Sequence, residues 1–345
     1  MYIHKSTCIS PQQTYSDVDL EKLNISVNNM LNVVEPKYDD IPLNVLRRMG
    51  KAVRMGVGAA LPLIKDSKNI DGIIIGTANG GMEDCIKFLN QIVQFEEGRL
   101  TPTNFVQSTP NAIAAQIGIT NQNKCYNITH VHRGLAFENA LIDAQMLLRE
   151  NLEFNLLVGG VDEISSYNYN IENLGGWFKD EEIDNTKLYK NETKGTIAGE
   201  GVTMFVVNNC KENSIANISA IKTLHTNNTE EVAEQLKLFI EKNISPDKNI
   251  DLFLTGENGD NRLQNYYNVC ENIFDNNTSI ARFKHYCGEY PTASAFSVWL
   301  ASKILNNQII PQHFIKCKSN SNKLERILIY NNYKGQQHSF MLIEK

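Results

Sequence analysis

The residues whose types and spacing could do chemistry fall in two short stretches. In NITHVHRGLAF, residues 127–137, His130 and His132 stand two apart, so on an extended strand their rings share one face. In FKHYCGEYPT, residues 283–292, His285, Cys287 and Glu289 follow at the same spacing. His130 and His132 joined by His285 or Glu289 would form a metal or acid–base site. The ligand spacing of a zinc site is missing, and no metal is expected. The other reading is a polar plug, in which the imidazoles satisfy Glu289 or nearby asparagines, since a buried polar group left unpaired costs roughly 1–3 kcal/mol. A buried Glu289 carboxylate needs a partner, and Arg133 is one candidate. Cys287 could be a nucleophile; the alternative is a small buried hydrophobe.

The elements that must position these residues are legible as apolar runs ending at glycine. GIIIG, LLVGG and LFLTG each read as a strand covered on both faces, as in α/β layers. GLAFENALIDAQMLLREN and TASAFSVWLASKIL read as buried helices, and EEVAEQLKLFIEKN as an amphipathic one. Residues 177–198 are polar and charged and read as a surface excursion. GEGVTMFVVNN closes a first half, and NISAIKTLHT opens a second strand–helix–strand series. The expected division is residues 1–210 and 211–345. GTANGGM is neither a dinucleotide fingerprint nor a P-loop, so its glycines read as tight turns.

Bulk properties exclude several classes. The 345 residues are 42% hydrophobic and 21% charged, an ordinary globular balance. With a net charge of −6 and no basic run, nucleic acid is not an expected partner. There is no apolar run of about 18 residues and no apolar leader, so a membrane span is not expected and a cytoplasmic location is. Seven cysteines at wide spacings, without CxxC, read as reduced thiols.

Six segments in order resemble the β-ketoacyl synthases of the thiolase superfamily. They are IPLNVLRRMGKAVRMGVGAA, GIIIGTANGGMEDCIKFL, LTPTNFVQSTPNAIAAQIGI, LLVGGVDE, GEGVTMFVV and FKHYCGEYPTASAFSVWLA. The resemblance implies a thiolase-like α/β fold, with two related halves in an α-β-α-β-α arrangement of five layers. It implies condensation by a Cys thiolate at a helix N-terminus and two His residues that stabilise the enolate. Each of those positions departs from the family pattern. Where the family has TACxSG this chain has THVHRG, placing Val131, or by an ungapped count Gly134, at the nucleophile. Thr255 stands for the first His and Glu289 for the second. The family's GFGG loop is NNYKG here, with Tyr333 in it.

The resemblance therefore points to a ketosynthase homologue without the Cys–His–His triad, of the chain-length-factor type. Such a chain completes a dimer with an active ketosynthase, or pairs with itself, and meets acyl carrier protein transiently. No cofactor is implied. Phe105, Ser108, Asn111 and Tyr333 are the implied acyl-tunnel and interface positions, with plain helix capping as the alternative for Ser108 and Asn111. Residues 124–129 correspond to the family's dimer-spanning strand. A second expectation is an acyltransferase or thioester hydrolase using His130, His132, His285, Cys287 or Glu289. A third is a carrier-protein-binding module, for which Arg47, Arg48, Lys51 and Arg54 are the only tight basic cluster.

Overall fold

The computed structural model describes residues 1–67, 69–319 and 323–345. Its first half runs β1 (Tyr2–Ile9), β2 (Met30–Leu31), α1 (Leu43–Leu46), α2 (Lys51–Lys65), β3 (Gly72–Gly76), α3 (Met82–Gln94), α4 (Pro102–Gln107), α5 (Ala112–Thr120), β4 (Tyr126–His130), α6 (Ala136–Glu150), β5 (Leu156–Asp162), α7 (Ser166–Leu174), β6 (Ala198–Gly199) and β7 (Gly201–Asn208). The second runs β8 (Ala216–His225), α8 (Thr229–Asn243), β9 (Leu252–Thr255), α9 (Gln264–Glu271), β10 (Ser279–Arg282), α10 (Lys284–Cys287), α11 (Ala293–Asn307), β11 (Ile315–Cys317), β12 (Arg326–Tyr333) and β13 (Gln337–Glu344).

The sheet repeats one pattern twice. The first half orders its strands β4-β3-β5-β7-β1 and the second β10-β9-β12-β13-β8, with β11 outside β10. In each, the first three strands of that order are parallel and the next two join antiparallel. A short antiparallel junction, Tyr2 with Asn217 and Ile3 with Ala216, links the halves.

Strand alternation builds the layers. Ile74 points inward with Phe137 of α6, while Ile73 and Ile75 point outward onto α2 and α5. In the second half Leu252 and Leu254 face inward, and Phe253 faces α8 and α9. Both faces of each central strand are thus covered, which is why LLVGG and GIIIG lack polar alternation. Helix α11 touches β5 and β7 on one side and β12 and β13 on the other, so the halves face each other across it. The five layers expected from the sequence are present. Among the described residues no helix is long and apolar enough to cross a membrane.

The excursion 177–198 departs from its sequence reading. Its chain forms no long element, yet Phe178, Lys179, Asn185, Leu188 and Ile197 are buried. Leu188 and Ile197 pack with Leu31, and the Lys179 ammonium donates to the carbonyls of Asn191, Thr193 and Gly259 at 3.1, 2.9 and 2.8 Å. Burial lowers that ammonium's pKa to about 8. Polar composition concealed a packed wall because the Lys179 charge is satisfied by backbone carbonyls.

Candidate functional site

The site is built where α6 leaves β4. After His130 the chain turns, and Arg133 takes a left-handed backbone, φ +49°, before a 3-10 turn leads into α6. A residue with a long side chain in that region is uncommon and marks a tight turn. Arg133 is exposed, and its Nη1 reaches Asn79 Oδ1 at 3.4 Å. Gly134 follows because Tyr333 lies against it: a Cβ there would come within 2.2 Å of the Tyr333 Cβ. The turn residue is therefore Arg133. Val131, the first sequence alternative, is 54% exposed beside it, and Gly134 is covered by Tyr333.

The second stretch is set by Gly288, φ +75°, whose α-carbon lies against Gly199. Glu289 then pairs with the end of the excursion: its N–H donates to Ile197 O at 2.8 Å and its carbonyl accepts from Gly199 at 2.9 Å. The Glu289 carboxylate accepts from Lys284 Nζ at 2.6 Å and Asn258 Nδ2 at 2.8 Å. Lys284 is fully buried, so this is an ion pair inside the protein. Lys284, not Arg133, is Glu289's partner. A lysine five residues earlier reaches the same carboxylate because α10 is one helical turn.

A narrow cleft opens in front of this pair, with about 630 Å³ of empty space counted to its mouth. Asn79, Tyr333, Glu163, Glu289 and Asn258 line it. Aromatic rings of Tyr169, Trp177, Phe178 and Tyr290 complete the wall. Its lining among the described residues includes neither cysteine nor histidine. Burial raises the Glu163 carboxyl to about 7 despite the hydrogen bond it accepts from Ala52 N–H at 3.0 Å. Glu163 is one titratable group of this cleft that sequence reasoning missed; its signal was the acidic end of GGVDE.

The histidines stay apart. His130 donates to Asp143 Oδ2 at 2.9 Å, and His132 Nδ1 accepts from Asn139 at 2.8 Å. His285 lies elsewhere, with Nε2 2.8 Å from His313 Nδ1 and Nδ1 3.2 Å from Tyr189 Oη. Neither shared site nor plug against Glu289 is formed: α6 supplies the partners of the first two residues, and the last faces away from the cleft. Among the described residues no group of three His, Cys, Asp or Glu is placed to hold a metal. Cys287 is fully buried, donates to Gly288 O at 3.3 Å, and burial pushes its thiol pKa up. Thr255 is also buried, its hydroxyl donating to Ala281 O at 3.3 Å.

Of the interface candidates, Tyr333 lines the cleft, while Phe105, Ser108 and Asn111 lie on α4 and at the start of α5. Phe105 is 60% exposed, its ring 5.3 Å from that of Phe88. Ser108 caps the C-terminus of α4 and donates to Phe105 O at 2.7 Å; Asn111 sits at the N-cap of α5 without a side-chain cap bond. The strand expected at 124–129 is β4, Tyr126–His130, and it is the sheet's edge strand. Half of the basic cluster is neutralised, Lys51 by Glu200 at 2.5 Å and Arg54 by Glu35 at 2.6 Å.

Residues 24–173 match the family described as Beta-ketoacyl synthase, N-terminal domain. No curated protein matches the chain in sequence. Among solved structures, a β-ketoacyl synthase from Burkholderia phymatum STM815 superposes with TM-score 0.80 at 14% identity, over 100% of this chain and 98% of that one. A ketosynthase in complex with its chain length factor from Xenorhabdus doucetiae gives 0.76 at 13%, over 99% and 97%. A type II polyketide synthase acyl-carrier protein in complex with its ketosynthase gives 0.77 at 12%, over 99% and 98%. Residues 24–173 thus match a β-ketoacyl synthase N-terminal domain, and the chain over its full length has the fold of these ketosynthase structures.

Proposed function

We propose that this chain is a non-condensing ketosynthase homologue of the chain-length-factor type, the partner of an active ketosynthase in polyene, polyketide or fatty-acid-like biosynthesis. The carrying observation is the turn into α6, where neither Val131 nor Gly134, nor the left-handed Arg133 between them, carries a thiol. Condensation needs a nucleophile there and donors for the enolate. The cleft instead ends in Glu289, a carboxylate that would oppose developing negative charge and is already tied to Lys284. The nearby thiol, Cys287, is sealed in the core with its ionisation suppressed. A pairing role is supported by α3 and α7, neither of which has a buried residue in the isolated chain. The exposed side chains of Val93, Phe105, Val106, Ile171 and Leu174 add apolar surface of the kind that marks an interface.

The test is to incubate the purified chain with acyl and malonyl N-acetylcysteamine thioesters, following intact mass and released carbon dioxide. The expected result is neither adduct nor decarboxylation. A stable acyl adduct would contradict the proposal.

One observation favours a second reading, an acyl-thioester hydrolase. Glu163 lines the cleft with a pKa of about 7, where a general base works well at neutral pH. That reading predicts thioester turnover that rises through pH 7 and disappears in Glu163→Gln.

A further inference from the structure

We infer that the cleft is a binding site for a small organic cation, an ammonium group on an apolar body, with Glu163 as its counter-ion. The inference concerns the charge balance of the cleft and holds whether or not the chain pairs with a ketosynthase. Glu163, Glu172, Asp260 and Glu289 are the carboxylates of the lining. Three of them have a cation of their own: Glu172 has Lys334, Asp260 has Arg262 at 2.5 Å, and Glu289 has Lys284 at 2.6 Å. Glu163 has none. It is 6% exposed; one oxygen accepts from Ala52 N–H at 3.0 Å, and the other accepts no hydrogen bond among the described residues.

The charged groups around Glu163 are short of positive charge. Lys51 and Arg54 approach it from α2, Asp84 from α3, and Glu200 from the start of β7. Lys51 is bound to the fully buried Glu200 at 2.5 Å, and Arg54 to the two oxygens of Glu35 at 2.6 and 2.7 Å. A buried carboxylate without a cation is costly, and burial accordingly raises the Glu163 carboxyl to about 7. An ammonium ion at its open oxygen supplies the missing charge. An anion gains nothing comparable, since the one cation of the lining among the described residues, Lys334, is taken by Glu172. The walls suit the rest of such a ligand. Tyr169, Phe178 and Tyr290 line the same cleft, and aromatic ring faces attract cations. Trp177 shows this already, with the Arg262 guanidinium at 4.5 Å and the Lys334 ammonium at 4.8 Å from its ring centre.

The experiment titrates the whole chain by calorimetry with benzylammonium, benzyl alcohol and benzoate, which share a ring and differ in charge. At pH 8 benzylammonium is expected to bind roughly tenfold tighter than the other two. Only ionised Glu163 gives that preference. A carboxyl titrating at about 7 is ionised about tenfold less at pH 6 than at pH 8, so the affinity should fall about tenfold over that range. At pH 7 binding should release about half a proton, read from the dependence of the heat on the buffer's ionisation enthalpy. Glu163→Gln keeps an acceptor for Ala52 N–H and should remove both the preference and the proton release. The proton release is measured on the parent chain, so it decides the matter even if the variant does not fold. Absence of benzylammonium binding, equal affinity for benzyl alcohol, or binding without proton release overturns the inference. The proposed function fails separately, through an acyl adduct on the protein, which none of these probes can form.

Discussion

At the residue scale the central feature is one buried ion pair facing a cleft. Glu289 was legible as a departure from a family pattern, but its partner was not. Sequence spacing offered Arg133; the one-turn helix α10 brings Lys284 instead. Lys284→Met leaves a buried carboxylate unpaired and should destabilise the chain by about 3 kcal/mol, read from urea unfolding. Lys284→Met combined with Glu289→Leu should recover a large part of that loss. The imidazoles predict a pH response. His285 Nε2 lies 2.8 Å from His313 Nδ1, and His313 Nε2 donates to Leu20 O at 2.7 Å. Burial, then His313 and Arg282, lower the His285 pKa to about 3, against about 6.5 for a free imidazole. The unfolded chain therefore takes up a proton below pH 6.5 that the folded chain refuses. Stability is complete above that pH and falls as pH drops toward 3, by up to about 1.4 kcal/mol per unit. His338, lowered by burial to about 4, adds to the slope. Urea midpoints from pH 7 to 5 should fall less steeply in His285→Gln than in the parent chain.

At the element scale, strands and buried helices followed from apolar runs because burial on both faces leaves a plain sequence trace. Turns did not. The left-handed Arg133 carries no sequence mark, since an arginine there gains nothing locally and is held by the strand and helix on either side. The excursion 177–198 was misread for a related reason: the Lys179 ammonium looks solvent-seeking in sequence yet is satisfied by three backbone carbonyls. Helix α3 behaves in the opposite way. Cys85 lies on it at core spacing, but none of its residues is buried in the isolated chain. Val93, 82% exposed, should tolerate Asp with less than about 0.5 kcal/mol change in monomer stability. The same substitution should abolish pairing with a partner subunit, measurable by sedimentation.

At the scale of the whole molecule, the duplicated strand order explains why the cleft lies where it does. The two halves face each other across α6 and α11, and the cleft forms where the turn into α6 meets the loop before α11. This architecture was legible through six ordered segments, each weak alone. The proposed pairing was not legible in the same way, because a partner leaves no residue of its own in the chain; the features that support the proposal are edge strand β4 and the uncovered helices. The most direct measurement is native mass spectrometry of the chain alone and co-expressed with an intact Cys–His–His ketosynthase. A one-to-one heterodimer, with no stable homodimer when the chain is alone, is the predicted result. A homodimer that persists unchanged beside the ketosynthase would contradict the account.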